Sequence, residues 1–555
     1  MNFIRFCIAI VFFGLTVTIS FCNNKKEDIV PASAVNVGVE KVLISMFDSL
    51  VENTINDSTF LFAPKVLLHF YNITSFKPIW SSARNWNPIT DSLMLFLKKG
   101  HYLGLIKEDY QYDLLLQIKK QLDNDSLKIS SPSNWARAEV LFTDALVHIF
   151  EDVKQGRLQN DSLNWVNNSD KWHKFFIPNI QQFVVDKNLN KIISTLEPSH
   201  QQYMALKNAL AAFAGSMEIK KYTYIQYPYK DSIYFIKKLK QRMAQEGFLP
   251  NANVALDSAG LTALILQYQK TKELKATGKI SSGLVNMLNS NDLEKFYRVA
   301  ITLDKFKKML DTFPKNYILI NLPSYQLNVW DEDSIVLQSK IIIGKTSTPT
   351  PHITSAISNL VIYPTWTVPK SIIASELLPG LKRNAGYLSK KGLGLYTYKG
   401  EPVDPYGIDW TQYSNNIPYL VRQNSGQNNA LGVIKFNFNN PHDVYLHDTN
   451  QRYLFNNNYR SLSHGCVRVQ QWQKLAFYIA RNDSLKLAKN DSLTYNTDSL
   501  SQWLSEKTYR IVNVKKRLPL YILYFSVESM NGKLLFFDDV YGEDKALREK
   551  YFSLN

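Results

Sequence analysis

The apolar periodicity of this 555-residue chain changes at Tyr317, and that change limits the folds open to it. Before it, apolar residues recur mostly at helical spacing. The stretch 134–155 is the clearest case: Leu141, Ala145, Leu146, Ile149, Phe150 and Val153 share a face, Ser133 or Asn134 is placed to cap the start, and Gly156 stands where a stop belongs. From Tyr317 onward strand-like runs take over. Strands are expected at 317–322, 325–330, 335–343, 360–363, 433–438 and 444–447, with a turn at Asp331-Glu332-Asp333. Asn531-Gly532, between apolar runs at 521–528 and 533–537, is a hairpin signal. The expected class is multidomain α+β, with a helical N-terminal part and a β-rich last third. A chain of this length should form about three or four domains.

Between these parts lies a compact helical segment at 236–290. It holds expected helices at 235–245 and about 261–269, and a short apolar run at 284–289. A further helix is expected from 292 to 310, where Asn291 and Glu294 have capping-box spacing. Asn-Asp-Ser-Leu recurs at 124, 160, 482 and 490, but the intervals are irregular and no solenoid is expected.

The N-terminus reads as an export signal: Arg5, then an apolar run at 6–18, closed by Ile19-Ser20-Phe21-Cys22. A single-span anchor is the rival reading, yet the run is short of the roughly 20 apolar residues a span needs. Ile19, Ser20 and Cys22 resemble a bacterial lipoprotein signal and make Cys22 the candidate lipidation site; Phe21 departs from the small residue usual there. Residues 22–39 read as a tether. The net charge of +16 favours acidic partners. An exported chain makes nucleic acid a poor fit, and an anionic wall polymer or membrane surface a better one. A basic solvated surface without a specific partner is the plainer alternative.

The chain has three cysteines. With Cys7 inside the signal and Cys22 closing it, Cys466 is left without a disulfide partner in an exported protein, which demands a chemical reason. Its setting is Ser463-His464-Gly465-Cys466-Val467-Arg468. Inert packing is the bland reading. Against it, His447 ends an apolar strand 19 residues upstream (466 − 447), where strand and loop could bring a base to a nucleophile. Gly465 allows close backbone approach, and Arg468 supplies positive charge for a thiolate or a substrate carboxylate. His442, His447, His464 and Cys466 could form a zinc set, but the region lacks the paired Cys-x-x-Cys and His-Glu-x-x-His spacings, so no metal is expected.

Tyr445-Leu446-His447-Asp448-Thr449, followed by Ser461-Leu462-Ser463-His464-Gly465-Cys466-Val467-Arg468-Val469, resembles the paired motifs of the L,D-transpeptidases of bacterial peptidoglycan, with their YkuD-type catalytic domain. Gln423, Gly426, the run from Asn429 to Phe436, Trp366-Thr367-Val368-Pro369 and the strand opening at 318–325 extend the match. Phe70-Tyr71, Trp80 and His101 to Leu105 resemble the scaffold region of the large subclass, and Asp539 to Asp544 its C-terminal element. Ser425 and Asn450 stand where proline is common in that family.

The resemblance implies a scaffold domain at 40–235, a peptidoglycan-binding-like domain at 236–290, a connecting helix at 291–315, a catalytic domain at 316–500 with a capping insertion at about 370–430, and a C-terminal β-hairpin element at 501–555. It implies Cys466 as nucleophile and His447 as base. Tyr445, Gly465, Ser463 and His464 would shape or support the oxyanion site, His464 by orienting the loop. Arg468 and Trp366 would contact substrate, with packing the alternative for Trp366. The implied reaction takes a tetrapeptide stem as donor, releases D-Ala and makes a 3→3 cross-link to an acceptor stem, without a cofactor, in the periplasm or cell envelope. Rival outcomes are an L,D-carboxypeptidase, attachment of a protein to the wall through the same acyl-enzyme, and a non-catalytic wall-binding scaffold.

Overall fold

The computed structural model describes residues 32–49, 54, 59–124, 131–158, 165–218, 220–309, 313–485 and 495–552. The expected export signal and Cys22 lie outside them, as do three of the four Asn-Asp-Ser-Leu stretches in whole or part. The chain divides into two units. One comprises residues up to 94, 111–147 and 169–188; the other comprises 95–110, 148–168 and 189 onward.

Among the described residues the first unit is mainly helical, with a short hairpin, β1 (Ser81–Ser82) and β2 (Asn85–Trp86), and a bridge between Thr54 and Phe60. Its first helix, Ala32–Asp48, begins inside the stretch expected to be a tether to residue 39. Val39, Leu43, Met46 and Phe47 fall at helical spacing and are buried, so an apolar stripe orders residues whose composition alone reads as linker. Helix Pro132–Gln155 starts two residues ahead of expectation, with Pro132 in the first turn where its missing N–H costs nothing. Gly156 ends it at φ +74°, a left-handed position that glycine occupies freely.

In the second unit, helices Ser232–Gln245, Ser258–Thr271 and Ser282–Asn289 are N-capped by Asp231, Asp257 and Ser281. Phe235, Leu239, Met243, Ile265, Tyr268 and Leu288 give them a core of their own. Helix Asp292–Lys307 follows, and Asn291 Oδ1 accepts the Glu294 amide at 3.1 Å. The reciprocal half of the capping box is absent, because the Glu294 carboxylate is taken by Arg548 at 2.6 Å and 2.8 Å.

The remaining strands are β3 (Asn316–Asn321), β4 (Gln326–Asp331), β5 (Ser334–Gly344), β6 (Ile353–Ile362), β7 (Trp366–Thr367), β8 (Leu393–Tyr396), β9 (Leu420–Gln423), β10 (Ile434–Phe438), β11 (Leu446–His447), β12 (Ser461–Ser463), β13 (Val467–Val469), β14 (Arg510–Leu523), β15 (Val527–Met530) and β16 (Lys533–Phe536). Nine of them form one sheet in the order β12-β5-β13-β11-β10-β6-β14-β3-β4. The long strand β5 pairs with β4 through its first part and with β13 through its last, so the sheet closes on itself. Inward-facing Ile318, Ile320, Leu327, Val329, Leu360, Phe436 and Leu446 fill the interior.

Two features depart from expectation. The boundary placed at 500/501 separates β14 from a sheet in which it is central, parallel to β3 and antiparallel to β6. Its alternation is interrupted where the register shifts between Asn513 and Leu518, across Lys515-Lys516-Arg517, which hides the strand in the sequence. Helices Trp472–Leu485 and Thr497–Glu506 also lie in the part expected to be mainly β; Leu475, Ala476, Ile479 and Ala480 mark the buried face of the first. At Asn531-Gly532 both residues have positive φ, 52° and 74°, as a two-residue hairpin of primed type requires.

Between β6 and β10 the chain builds a cap. Its three-stranded sheet, β7-β9-β8, packs with Ile373, Leu377, Leu381, Leu388, Trp410 and Val421 in a separate core. The cap is thus a folded element with a packed centre; Gly380 lies in its helix Leu378–Arg383 and Gly394 in β8.

Candidate active site

Strand register decides which side chains meet. β10 and β11 run antiparallel with Lys435 opposite His447; β11 and β13 run parallel with His447 beside Arg468 and Leu446 beside Val467. Side chains alternate along a strand, so Leu446, Val467, Ile434 and Phe436 point into the core. Tyr445, His447, Cys466, Arg468 and Lys435 are left on the opposite face, together. The residue types that look irregular in the sequence are one surface of a regular sheet.

Cys466 occupies the turn between β12 and β13. Gly465 has φ +118°, which a residue with a Cβ adopts only under strain. Ser463 ties the turn: its Oγ donates to the Cys466 carbonyl at 2.6 Å and accepts the Gly465 amide at 3.2 Å. Thr350 braces it from outside, donating to the Gly465 carbonyl at 2.8 Å while accepting the Gly344 amide at 2.9 Å. The Gly465 N–H is therefore spoken for within the turn, and the residue's contribution is shape.

The thiol is partly exposed, and Sγ lies 3.9 Å from the Asp443 carbonyl. Burial pushes its pKa up; the amide and hydroxyl of Tyr445 and the charges of Lys435 and Arg468 pull it down. The Tyr445 hydroxyl lies near enough to the thiol to act on its pKa, and the Trp366 indole of cap strand β7 acts on that hydroxyl in turn. Lys435 Nζ stands 3.9 Å from the centre of the Tyr445 ring, at cation–π distance.

His447 is 5 % exposed, and its Nδ1 has no hydrogen-bond partner. Burial first, then the Arg468 charge, hold its pKa down at about 3, so the ring is neutral at any ordinary pH. The following residue fixes the strand end. Asp448 is fully buried, accepts the Val433 amide at 3.1 Å and the Arg452 Nε at 3.0 Å, and leaves no room for a side chain at Gly432, where φ is +62°.

His464 points its Nε2 to Glu376 of the cap, at 2.6 Å, with Lys345 4.0 Å from the same oxygen. Arg468 donates to Gln451 at 3.0 Å and has an unpartnered Nε. Asn450, where the family pattern favours proline, donates to the Asn428 carbonyl at 2.9 Å and so anchors its loop by other means. The zinc set weighed from the sequence is not assembled: among the described residues no three His, Cys, Asp or Glu side chains converge. No helix among them is long and apolar enough to cross a membrane. Sequence reading gave no role to Lys435, Glu376 or Asp443. Lys435 was findable in principle, since strict alternation with Ile434 and Phe436 puts it on the face of His447.

Residues 315–487 match the family model described as the L,D-transpeptidase catalytic domain, and residues 65–210 match the scaffold domain model. A protein of Haemophilus influenzae whose name provisionally assigns it to the L,D-transpeptidases is 33% identical over 232 residues, covering 42% of this chain. The match spans 45% of that relative, less than half its length. Among solved structures, the Ldtfm–avibactam carbamoyl enzyme is 12% identical over 38% of this chain and 49% of its own, with a TM-score of 0.16. A cysteine-to-serine mutant of an Enterococcus faecium L,D-transpeptidase is 11% identical over 38% and 50%, with a TM-score of 0.17. Superposition at such scores carries no weight. The two family matches and the paired motifs agree: residues 315–487 form a YkuD-type L,D-transpeptidase catalytic domain and residues 65–210 a scaffold domain.

Proposed function

We propose that the protein is a peptidoglycan L,D-transpeptidase working through a Cys466 acyl-enzyme. One observation supports this above the others: Cys466, Tyr445, His447, Arg468 and Lys435 share one sheet face under a folded cap. Cys466 Sγ attacks the carbonyl carbon between the diamino residue of a tetrapeptide stem and D-Ala. The carbon–nitrogen bond breaks, and D-Ala leaves as an amine after taking the thiol proton through His447. A side-chain amine of a second stem then attacks the thioester, His447 receives its proton and returns it to sulfur, and a 3→3 cross-link results. The Tyr445 hydroxyl and the Cys466 amide are the donors for the developing oxyanion; Gly465 and Ser463 hold the turn that presents them. Arg468 is the charge for a stem carboxylate, and Trp366 positions Tyr445 while flanking the substrate. His464 ties the loop to the cap.

Transfer is favoured over hydrolysis because the cap is a packed element beside the thiol, able to keep water from the thioester. We place the chain in the cell envelope, exported by residues 1–21 and tethered through Cys22, with the 236–290 module and the basic surface holding it near the wall. The test is mass spectrometry of purified tetrapeptide muropeptides incubated with the exported form, beside Cys466→Ala. Cross-linked dimers with matching D-Ala release, absent in the variant, are expected. Tripeptides without dimers would replace transfer by hydrolysis, and no Cys466-dependent change would overturn the catalytic reading.

A further inference from the structure

Lys435 stands out among the charges near the thiol. Among the described residues Lys435 forms no ion pair, and its ammonium rests on the Tyr445 ring 3.9 Å from the centre. The β10–β11 register sets it directly opposite His447. The ring it rests on carries the hydroxyl that acts on the Cys466 thiol. The lysine and the thiol act on each other: a thiolate would raise the Lys435 pKa, and the ammonium lowers that of Cys466.

The other groups facing the thiol cannot do this alone. Tyr445 is neutral, its phenol pushed well up by burial. His447 is neutral too, and an imidazolium there would sit against Arg468 and Lys435. Asp443 offers its carbonyl to the sulfur, while its carboxylate acts on Lys435. Arg468 is shared with Gln451, and Tyr453 lies near it. On the far side of the turn His464 is occupied by Glu376, with Lys345 beside that pair.

Resting on the reading of Cys466 as nucleophile, we infer that Lys435 is a positioning residue: its fixed ammonium, acting across the Tyr445 ring, stabilises the Cys466 thiolate, and His447 serves as a neutral base rather than as half of a thiolate–imidazolium pair. Lys435 neither gives nor takes a proton in this role.

The experiment is the rate of Cys466 alkylation by iodoacetamide as a function of pH, followed by mass spectrometry on the folded exported form. Lys435→Met and Lys435→Gln should move the thiolate midpoint up by about one pH unit and slow alkylation at neutral pH about tenfold. Lys435→Arg should restore the midpoint. His447→Gln should leave it near that of the parent protein. An unchanged midpoint in both neutral variants, with unchanged thermal unfolding, would overturn the inference. So would a large upward shift in His447→Gln, which would restore the ion-pair description. Alkylation needs no turnover, so if Cys466→Ala keeps transpeptidase activity the functional reading fails while the Lys435 result still stands by itself.

Discussion

Glu139 of the scaffold and His447 of the catalytic sheet are both buried titratable groups, and their surroundings treat them in opposite ways. The Glu139 carboxylate accepts the Ile79 and Trp80 amides and the Tyr71 hydroxyl; nearby, Asp144 accepts the Phe62 and Ala63 amides at 2.8 Å and 2.9 Å. Thr143 completes the cluster, accepting the Trp80 indole at 2.7 Å. His447 has an unpartnered Nδ1 and two cations for neighbours. A buried polar group whose partners are all supplied by the chain fixes architecture. One left open, at the cost of an unmade hydrogen bond, keeps its capacity for a reacting atom.

The sharpest break of that contrast is His447→Gln. On the proposed mechanism this variant removes the general base and should lower D-Ala release by about 10²–10⁴-fold while circular dichroism stays unchanged. A loss below tenfold would make the open nitrogen a packing defect and erase the distinction from Glu139.

The two groups also give pH dependences of opposite sign. Burial raises Glu139 from 4.5 to about 8, so the folded scaffold holds a proton that the unfolded chain has released. Its contribution is present below about pH 4.5 and is lost as pH rises through about 8. His447 is depressed from 6.5 to about 3, so the unfolded chain binds the extra proton and stability is lost as pH falls from 6.5 toward 3. Hydrogen exchange at the Ile79 and Trp80 amides should show protection falling toward alkaline pH, by on the order of a few kcal/mol, and Glu139→Gln should flatten it. A parallel fall in the Gln variant would mean that Glu139 is ionised in its cluster.

How much of this was legible in the sequence follows the same line. The motif residues could be read because the chemistry restricts them: a cysteine set between His464 and Arg468 has few innocent explanations. The expected strands at 317–322, 325–330 and 335–343 match β3, β4 and β5 to within a residue, since turn-forming residues bound each apolar stretch. β14 was not visible, because a bulge carrying Lys515, Lys516 and Arg517 splits its pattern. The His464–Glu376 and Lys435–Tyr445 contacts were not visible either. The first pairs residues 88 apart, and the second depends on a register that only the closed sheet sets.

Gly432→Ala probes how far the site depends on its support. The new Cβ would collide with the Asp448 carboxylate, at a φ of +62° that alanine tolerates poorly. A cost of about 1–3 kcal/mol is expected. Because Asp448 adjoins His447, D-Ala release should fall more than thermal stability alone accounts for, at temperatures well below unfolding. Full activity would place the His447 backbone beyond the reach of that loop.

The smallest effect belongs to the pair that looks strongest. His464 and Glu376 are 2.6 Å apart, yet their side chains are 33% and 43% exposed. Ion pairs so open to solvent are worth about 0–1 kcal/mol and are screened by salt. Glu376→Gln should therefore change turnover by less than about fivefold, with the difference closing at high ionic strength. Lys345, 4.0 Å from the same carboxylate oxygen, would lose its partner too, so Lys345→Met serves as the control for general charge effects on the loop. A hundredfold loss in Glu376→Gln that survives high salt would move His464 from holding the loop to taking part in proton transfer. The site would then have a second histidine whose pairing carries chemistry, and partner satisfaction would no longer separate the scaffold's buried acids from the catalytic face.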